Sequence, residues 1–171
     1  DVDETVVPGE MPEDYVCRLA VAKAQTAYAT LSEERKGPVL GSDTAVVAGN
    51  AIMGKPLDQN DALAMLRSLA GRTHRVLTGV ALVSAKVRYR LSDSRVSFRP
   101  ISEAEALAYW STGEPLDKAG AYAIQGLGAV FVAGLEGSYS GVMGLPLFET
   151  AQLLDEAGFH LFTENFGHAG E

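Results

Sequence analysis

The run Pro38-Val39-Leu40-Gly41-Ser42-Asp43-Thr44-Ala45-Val46-Val47-Ala48-Gly49-Asn50-Ala51-Ile52-Met53 decides the fold. Pro38 to Ala48 is apolar and β-branched, interrupted by Ser42-Asp43-Thr44, and reads as a strand. Gly49-Asn50 is a turn signal, and Ala51-Ile52-Met53 resumes the apolar pattern, so a hairpin follows. Residues 74–84 and 86–98 read as two further long strands joined by a tight turn near Ala85-Lys86. Helical patterns interleave with these pairs. Pro12 suits the first turn of a helix to about Thr30, in which Tyr15, Leu19, Ala22 and Ala27 have helical spacing. Asp58 caps a helix carrying Leu63, Leu66 and Leu69 that stops at Gly71. Ser102-Glu103-Ala104-Glu105 is a capping-box pattern opening a helix to about Ser111, ended by Gly113. Pro146 opens a last helix with Leu147, Thr150, Leu153 and Leu154. Hairpins alternating with helices predict an α/β architecture: a mixed, twisted sheet with helices on its faces. No internal repeat or low-complexity linker interrupts it, and the polar, glycine-containing tail after Gly158 is expected to fray.

A second stretch bears on function. Asp117-Lys118-Ala119-Gly120-Ala121-Tyr122-Ala123-Ile124-Gln125-Gly126 is apolar, broken by glycine, and carries one amide and one potential ion pair. Strand interiors avoid glycine unless a ligand or another backbone must approach closely. With Gly128 just beyond, this is the composition of a ligand wall. Strand-like segments are expected from Ala121 to Ala133.

Composition narrows the function classes. The 171 residues suit one domain, or two small lobes sharing a cleft, and 47% of them are hydrophobic, enough for a real core. A net charge of −8 argues against non-specific binding to nucleic acid or to an anionic membrane. Cys17 is the only cysteine, which excludes an internal disulfide and a thiolate zinc site. No apolar run is long enough to span a bilayer, and no signal peptide is present, so a cytoplasmic protein is expected.

Asp43 is the first candidate for chemistry. A carboxylate inside an apolar strand is tolerated when it is paired, metal-bound or at the strand end; the bland alternative is a turn aspartate in Gly41-Ser42-Asp43-Thr44. Thr44 faces away from Asp43 if the strand is regular, and into the same cleft if the strand ends there. Lys55, in Gly54-Lys55-Pro56, is presented at a defined place and suits a phosphate oxygen, although a solvated loop lysine is the commoner case. This is not a Walker loop, because the glycine run is missing and Pro56 replaces the hydroxyl residue. Lys23 lies on the first helix near Arg18, where most such charges are simply solvated. Asp3 and Glu4 are candidates to help Asp43 hold a divalent cation, because oxygen ligands suit magnesium or manganese. Asp117 and Lys118 form either a loop ion pair or a substrate clamp. Gln125 offers two donors and an acceptor, which is what reading a nucleobase edge requires. His74, His160 and His168 have no spacing that points to a metal or a triad, and Trp110 and Phe98 read as core. Together these residues suit metal-dependent attack on a phosphate ester or anhydride.

With these residues assembled, the chain resembles the Maf-like nucleoside triphosphate pyrophosphatases. The likeness runs through Arg18-Leu19-Ala20 and Ala22-Lys23-Ala24, then Gly41-Ser42-Asp43-Thr44 and Gly54-Lys55-Pro56. It continues through Thr73-His74-Arg75-Val76 and Thr78-Gly79-Val80-Ala81 to the 113–126 stretch, Gly137-Ser138-Tyr139 and Gly144-Leu145-Pro146-Leu147, so it covers essentially all of 1–171 as a single domain. The resemblance implies two lobes around a nucleotide cleft, and hydrolysis of a nucleoside triphosphate to monophosphate and pyrophosphate with a divalent cation, Mg²⁺ or Mn²⁺. It implies Asp43 as proton acceptor, Lys23 and Lys55 on phosphates, Glu4 beside Asp43 at the metal, and a homodimer. Thr44 and Gln125 match the branch acting on dTTP and UTP; a branch favouring 7-methyl-GTP carries Gln and Glu there instead. Modified or other pyrimidine nucleotides, such as CTP or 5-methyl-UTP, are further candidate substrates. Family members open with a strand and a Ser-x-Ser-Pro-Arg-Arg phosphate loop, which is absent between Asp1 and Gly9 and is expected upstream of Asp1. A non-enzymatic alternative is a nucleotide-binding regulator of cell division or septum formation with little turnover.

Overall fold

Pro12 starts the first helix, α1 (Pro12–Ala29), where a missing N–H costs nothing because the first-turn donors have no partner within the helix. The computed structural model describes residues 2–162; Asp1 and residues 163–171, with His168 and the end of the tail, lie outside the described residues. The hairpin forms as expected: β1 (Val39–Ala48) turns at Gly49-Asn50 into β2 (Ala51–Met53), with Val46 opposite Met53. The Asp58 carboxylate accepts from the Asp61 amide at 2.9 Å and opens α2 (Gln59–Leu69), which ends just before Gly71 at φ +66°. Strands β3 (Thr73–Val83) and β4 (Val87–Phe98) pair along their whole length. The capping box at the start of α3 (Glu103–Trp110) is complete: Ser102 Oγ accepts from the Glu105 amide at 3.3 Å, and Glu105 Oε2 accepts from the Ser102 amide at 2.9 Å. After a series of tight turns come β5 (Val132–Glu136), the short α4 (Tyr139–Met143) and α5 (Leu147–Glu156).

The sheet order is β2-β1-β3-β4-β5. The α/β class and the helices on the sheet faces are as the sequence predicts. The pairing differs from the mixed sheet expected, because every neighbouring pair among the described strands is antiparallel. The reason is that the hairpin strand β2 goes to the outer side of β1 while α2 carries the chain back to the inner side. Strands running the same way, β2 and β3, therefore flank β1 without touching. A second correction concerns residues 121–133. Only Val132 onward is strand, and the remainder is built of single 3₁₀ turns at Ala119–Ala121 and Leu127–Phe131. Its backbone is held by side chains instead of a ladder, as described below.

Period-two alternation sorts the sheet residues between two buried layers. Ala45, Val47 and Leu77 pack against Tyr15, Val16 and Leu19 of α1, and Ala81 and Val83 against Ala20 and Ala24. On the opposite face, Val46, Val76, Val96 and Phe98 pack with Leu66 and Leu69 of α2 and with Ala106 and Tyr109 of α3, closed over by Tyr122, Ile124 and Phe131. Further along that face, Val80 and Leu82 meet Leu153 of α5. Helix α1 lies unusually close to the sheet. A Cβ on Gly41 would stand 2.5 Å from the Ala20 carbonyl oxygen, and one on Gly79 would stand 2.5 Å from that of Val16. Bare backbone at those two positions lets the helix settle directly on β1 and β3.

Candidate active site

Strand β2 covers only Val46–Ala48 of β1, so among the described residues the Val39–Ala45 half of β1 is an open edge on that side. A cavity of about 280 Å³ wraps this edge. It is lined by Lys23 from α1, Ser42 to Thr44 and Val46 from β1, Lys55 from the loop after β2, Val76 from β3, residues of the 117–125 segment, and Val142 to Gly144 at the end of α4. The open edge resolves the alternatives for Thr44. The strand is regular and Asp43 and Thr44 do face opposite ways, yet both line one cavity because it reaches round to both faces.

On the α1 side, Lys23 Nζ lies 2.5 Å from Asp43 Oδ1 and 2.8 Å from Glu4 Oε1. The close seating of α1 on Gly41 and Gly79 brings Lys23 to Asp43, since Gly79 is the cross-strand neighbour of Asp43. Glu4 is carried there by the N-terminal segment, whose Glu4 carbonyl accepts from the Tyr15 hydroxyl at 3.0 Å and whose Thr5 carbonyl accepts from Arg18 at 3.1 Å. Burial pushes the Asp43 carboxyl above its ordinary value against the pull of the Lys23 ammonium, and the Asp43 side chain is only 9% exposed. The hydrogen bond from Lys23 holds Glu4 below its ordinary value. Burial opposes the charge on Lys23, but the two carboxylates outweigh it and raise this lysine.

The far wall is the 117–125 segment. Lys118 Nζ is 2.7 Å from Asp117 Oδ1, so these two form the loop ion pair, at the mouth of the cavity. Gly120 adopts φ +68° with its Cα against Val46, where any Cβ would fall 2.9 Å from a Val46 methyl, and its amide donates to the Gly54 carbonyl at 3.1 Å. That bond joins the far wall to the loop bearing Lys55, and so fixes where this lysine emerges. The next residue, Ala121, is fully buried at φ +60°, a conformation that alanine rarely adopts and that the surrounding packing imposes. Beyond it, the Ala123 amide donates to the Tyr109 hydroxyl at 3.1 Å, and that hydroxyl donates to Glu114 Oε1 at 2.6 Å. Glu114 also accepts from the amides of Leu127 at 2.8 Å and Gly128 at 3.0 Å. Gln125 is exposed on the cavity wall between these anchors, and among the described residues its amide makes no hydrogen bond.

The structure thus brings together Lys23, Asp43, Thr44, Lys55 and Gln125, with Glu4 joined through Lys23. Asp3 stays apart; its carboxylate accepts from the Thr5 amide at 2.9 Å. Arg18 also turns away, into an ion pair with Glu10. His74 is structural: it is buried, its Nε2 lies 2.9 Å from the Tyr122 hydroxyl, and burial lowers its pKa to about 4. Phe98 is core as expected, and Trp110 packs against the same cluster. Sequence reasoning assigned no role to Thr78 and Glu114. Thr78 is fully buried in β3, where its hydroxyl lies 2.8 Å from that of Thr44. A lone hydroxyl in a run buried on both faces is the signal that could have found it.

Glu4 and Asp43 are the side chains here that could contribute to holding a divalent cation. Their oxygens already converge on one ammonium, they are hard ligands, and one or two carboxylates supplemented by phosphate oxygens and water is the usual way magnesium is held. Among the described residues no group of three or more His, Cys, Asp or Glu side chains could hold a metal by itself. A buried carboxylate, fixed lysines and a hydrogen-bonding wall around one cavity form a site suited to phosphate anhydride hydrolysis.

Residues 1–157 match the model of Maf-like proteins, and the chain belongs to the Maf family. It is similar to a dTTP/UTP pyrophosphatase of Alkalilimnicola ehrlichii, 58% identical over 158 residues that make up 91% of this chain and 78% of the relative. A dTTP/UTP pyrophosphatase of Hahella chejuensis is 52% identical over 165 residues, 96% of this chain and 82% of the relative. One of Shewanella oneidensis is 54% identical over 159 residues, 92% of this chain and 82% of the relative.

Proposed function

We propose that this protein is a dTTP/UTP pyrophosphatase that cleaves the anhydride between the α and β phosphates, its residues 1–171 working as one Maf-like domain. The observation that carries the reading is Asp43, 9% exposed on the wall of a cavity that also holds Lys23, Lys55, Thr44 and Gln125. Asp43 accepts a proton from the attacking water as a bond forms to the α phosphorus, and the electron pair of the broken P–O bond leaves with pyrophosphate. A carboxyl raised by burial is a stronger base than one in water, which suits it to the task. Lys23 and Lys55 hold phosphate oxygens as point charges; Lys23 exchanges its present carboxylate partners for them. Glu4 and Asp43 would hold Mg²⁺ or Mn²⁺, which when bound offsets the negative charge of the phosphates. Thr44 and Gln125 read the pyrimidine edge, and Asp117 with Lys118 shapes the mouth of the cleft.

The likeness to the relatives above supports the substrate choice, and nucleotide pools support a cytoplasmic location. Among the described residues no helix is long and apolar enough to cross a membrane. A homodimer is the proposed assembly, since exposed apolar side chains such as Leu147 and Phe148 would be covered in it.

The test is a panel of canonical and modified triphosphates incubated with the protein and Mg²⁺ or Mn²⁺, with monophosphate and pyrophosphate resolved. The expected result is equimolar monophosphate and pyrophosphate, fastest from dTTP and UTP. A preference for purine triphosphates, or stepwise release of orthophosphate, would overturn the reading. Tight binding without turnover would favour a nucleotide-binding regulator.

A further inference from the structure

The hydroxyl of Thr78 lies 2.7 Å from the carbonyl oxygen of Gly141 and 2.8 Å from Thr44 Oγ1. A carbonyl oxygen only accepts, so the single hydroxyl proton of Thr78 is committed to Gly141. The contact between the two threonines then has Thr44 as the donor, which uses the only proton Thr44 has. What Thr44 turns toward the cavity is oxygen lone pairs alone. The arrangement is held at both ends. Thr44 and Thr78 are directly opposite in the β1–β3 register, and Gly141 is fixed because its amide donates to Ser138 Oγ, the N-cap of α4, at 2.9 Å.

We propose that Thr78 is a positioning residue for base selectivity: through Thr44 it presents the cavity with a fixed acceptor, which pairs with the N3–H of uracil or thymine and opposes the N3 lone pair of cytosine. The proposal rests on the reading of this protein as a dTTP/UTP pyrophosphatase and adds the element that biases the site against the third pyrimidine. The edge of uracil or thymine runs acceptor, donor, acceptor, and N3–H is its one donor. A side chain that can only accept has one place to go on that edge. In cytosine the same central position is itself an acceptor, so a base in the same pose sets lone pair against lone pair. Gln125, which carries both donors and an acceptor, cannot make this distinction alone, because its amide can turn to suit either base.

The experiment compares kcat/KM for UTP and CTP in the wild type, Thr78→Val, Thr78→Ser and Thr44→Val, with folding checked by circular dichroism. In Thr78→Val the Thr44 proton is released to turn toward the cavity and meet cytosine N3. The UTP-to-CTP ratio should then fall roughly tenfold or more. Thr78→Ser rebuilds the donor chain and should keep the wild-type ratio. A purely structural role would lower both substrates together; that result, or an unchanged ratio in folded Thr78→Val, would overturn the proposal. If Thr78→Val does not fold, Thr44→Val decides: it deletes the acceptor and should collapse the ratio, and a retained ratio would overturn the proposal. A wild type with no preference for UTP and dTTP over purine triphosphates would sink the functional reading itself. A wild type that prefers UTP over CTP, beside a Thr78→Val that prefers it equally, would sink only the relay.

Discussion

Asp43 sits in the interior of a strand with one ammonium group beside it, and burial still leaves its carboxyl above the ordinary value, so the fold tolerates its ionised form without favouring it. Replacing it with Asn removes the proposed proton acceptor and keeps the shape. Turnover of Asp43→Asn should fall by roughly 10²–10⁴ while nucleotide binding, followed by calorimetry, is retained; a variant that still turns over at the wild-type rate would end the assignment. Stability should move the other way. A group whose pKa is raised on folding contributes stability that is fully present below its unfolded pKa and is lost as the pH rises through its folded pKa. At neutral pH the wild type has lost that contribution, whereas Asn never ionises. Asp43→Asn should therefore unfold at a higher urea concentration than the wild type at pH 7, with the gap closing as the pH falls through the raised pKa of Asp43. An equal gap in acid would show that ionisation is not the cause. Asp43, Lys55 and Gln125 stood out by residue type, Thr44 was open between two faces and Lys23 was marked only by the family resemblance; one cavity is lined by all five. The only local mark of Thr78 is a lone hydroxyl in an apolar strand, since its partners Thr44 and Gly141 lie 34 and 63 residues away in sequence.

Among the elements, α1 matters most to the site, and what fixes it is the absence of side chains at Gly41 and Gly79. The contacts there are with helix backbone, which cannot swing aside as a flexible side chain can. Gly79→Ala should destabilise the protein by about 1–3 kcal/mol through overpacking. It should also lower turnover, because lifting α1 draws Lys23 from Asp43; chemical denaturation and steady-state kinetics together test both effects. An Ala variant with wild-type stability would mean that the helix slides without cost. Glycine within a strand is a sign of close backbone approach, and the sequence offered it at 41 and 79 as clearly as at 120 and 126. The four longer helices and both hairpins were readable because periodicity, caps and turn residues are local signals; the short α4 was not anticipated. The 119–131 segment was not, since its shape depends on Tyr109 and Glu114 bonding to amides 14 residues away or nearly so, and no local pattern encodes that.

For the whole molecule, the class was legible and the direction of strand pairing was not. Hairpins and crossovers leave similar traces in sequence, and only the three-dimensional route of α2 decides which strands become neighbours. A protein with a net charge of −8 that handles a polyanion must rely on local cations. Chelation by EDTA should therefore abolish turnover, with Mg²⁺ or Mn²⁺ restoring it; activity that persists in excess chelator would count against Glu4 and Asp43 as a metal pair. Without nucleotide, Mg²⁺ should shift the unfolding temperature little, since Lys23 already occupies both carboxylates. The seating of α1 on bare backbone has a further bearing on how such a site can diversify. While Gly41 and Gly79 are kept, the wall bearing Lys23 and Asp43 has a thickness set by peptide groups, so the other core side chains have little hold on the distance between them. The opposite wall consists of turns tethered at a few points. Room for a bulkier or differently substituted base can come only from that side, and variants selected for new nucleotides should accumulate changes in residues 117–128 while Gly41 and Gly79 stay untouched.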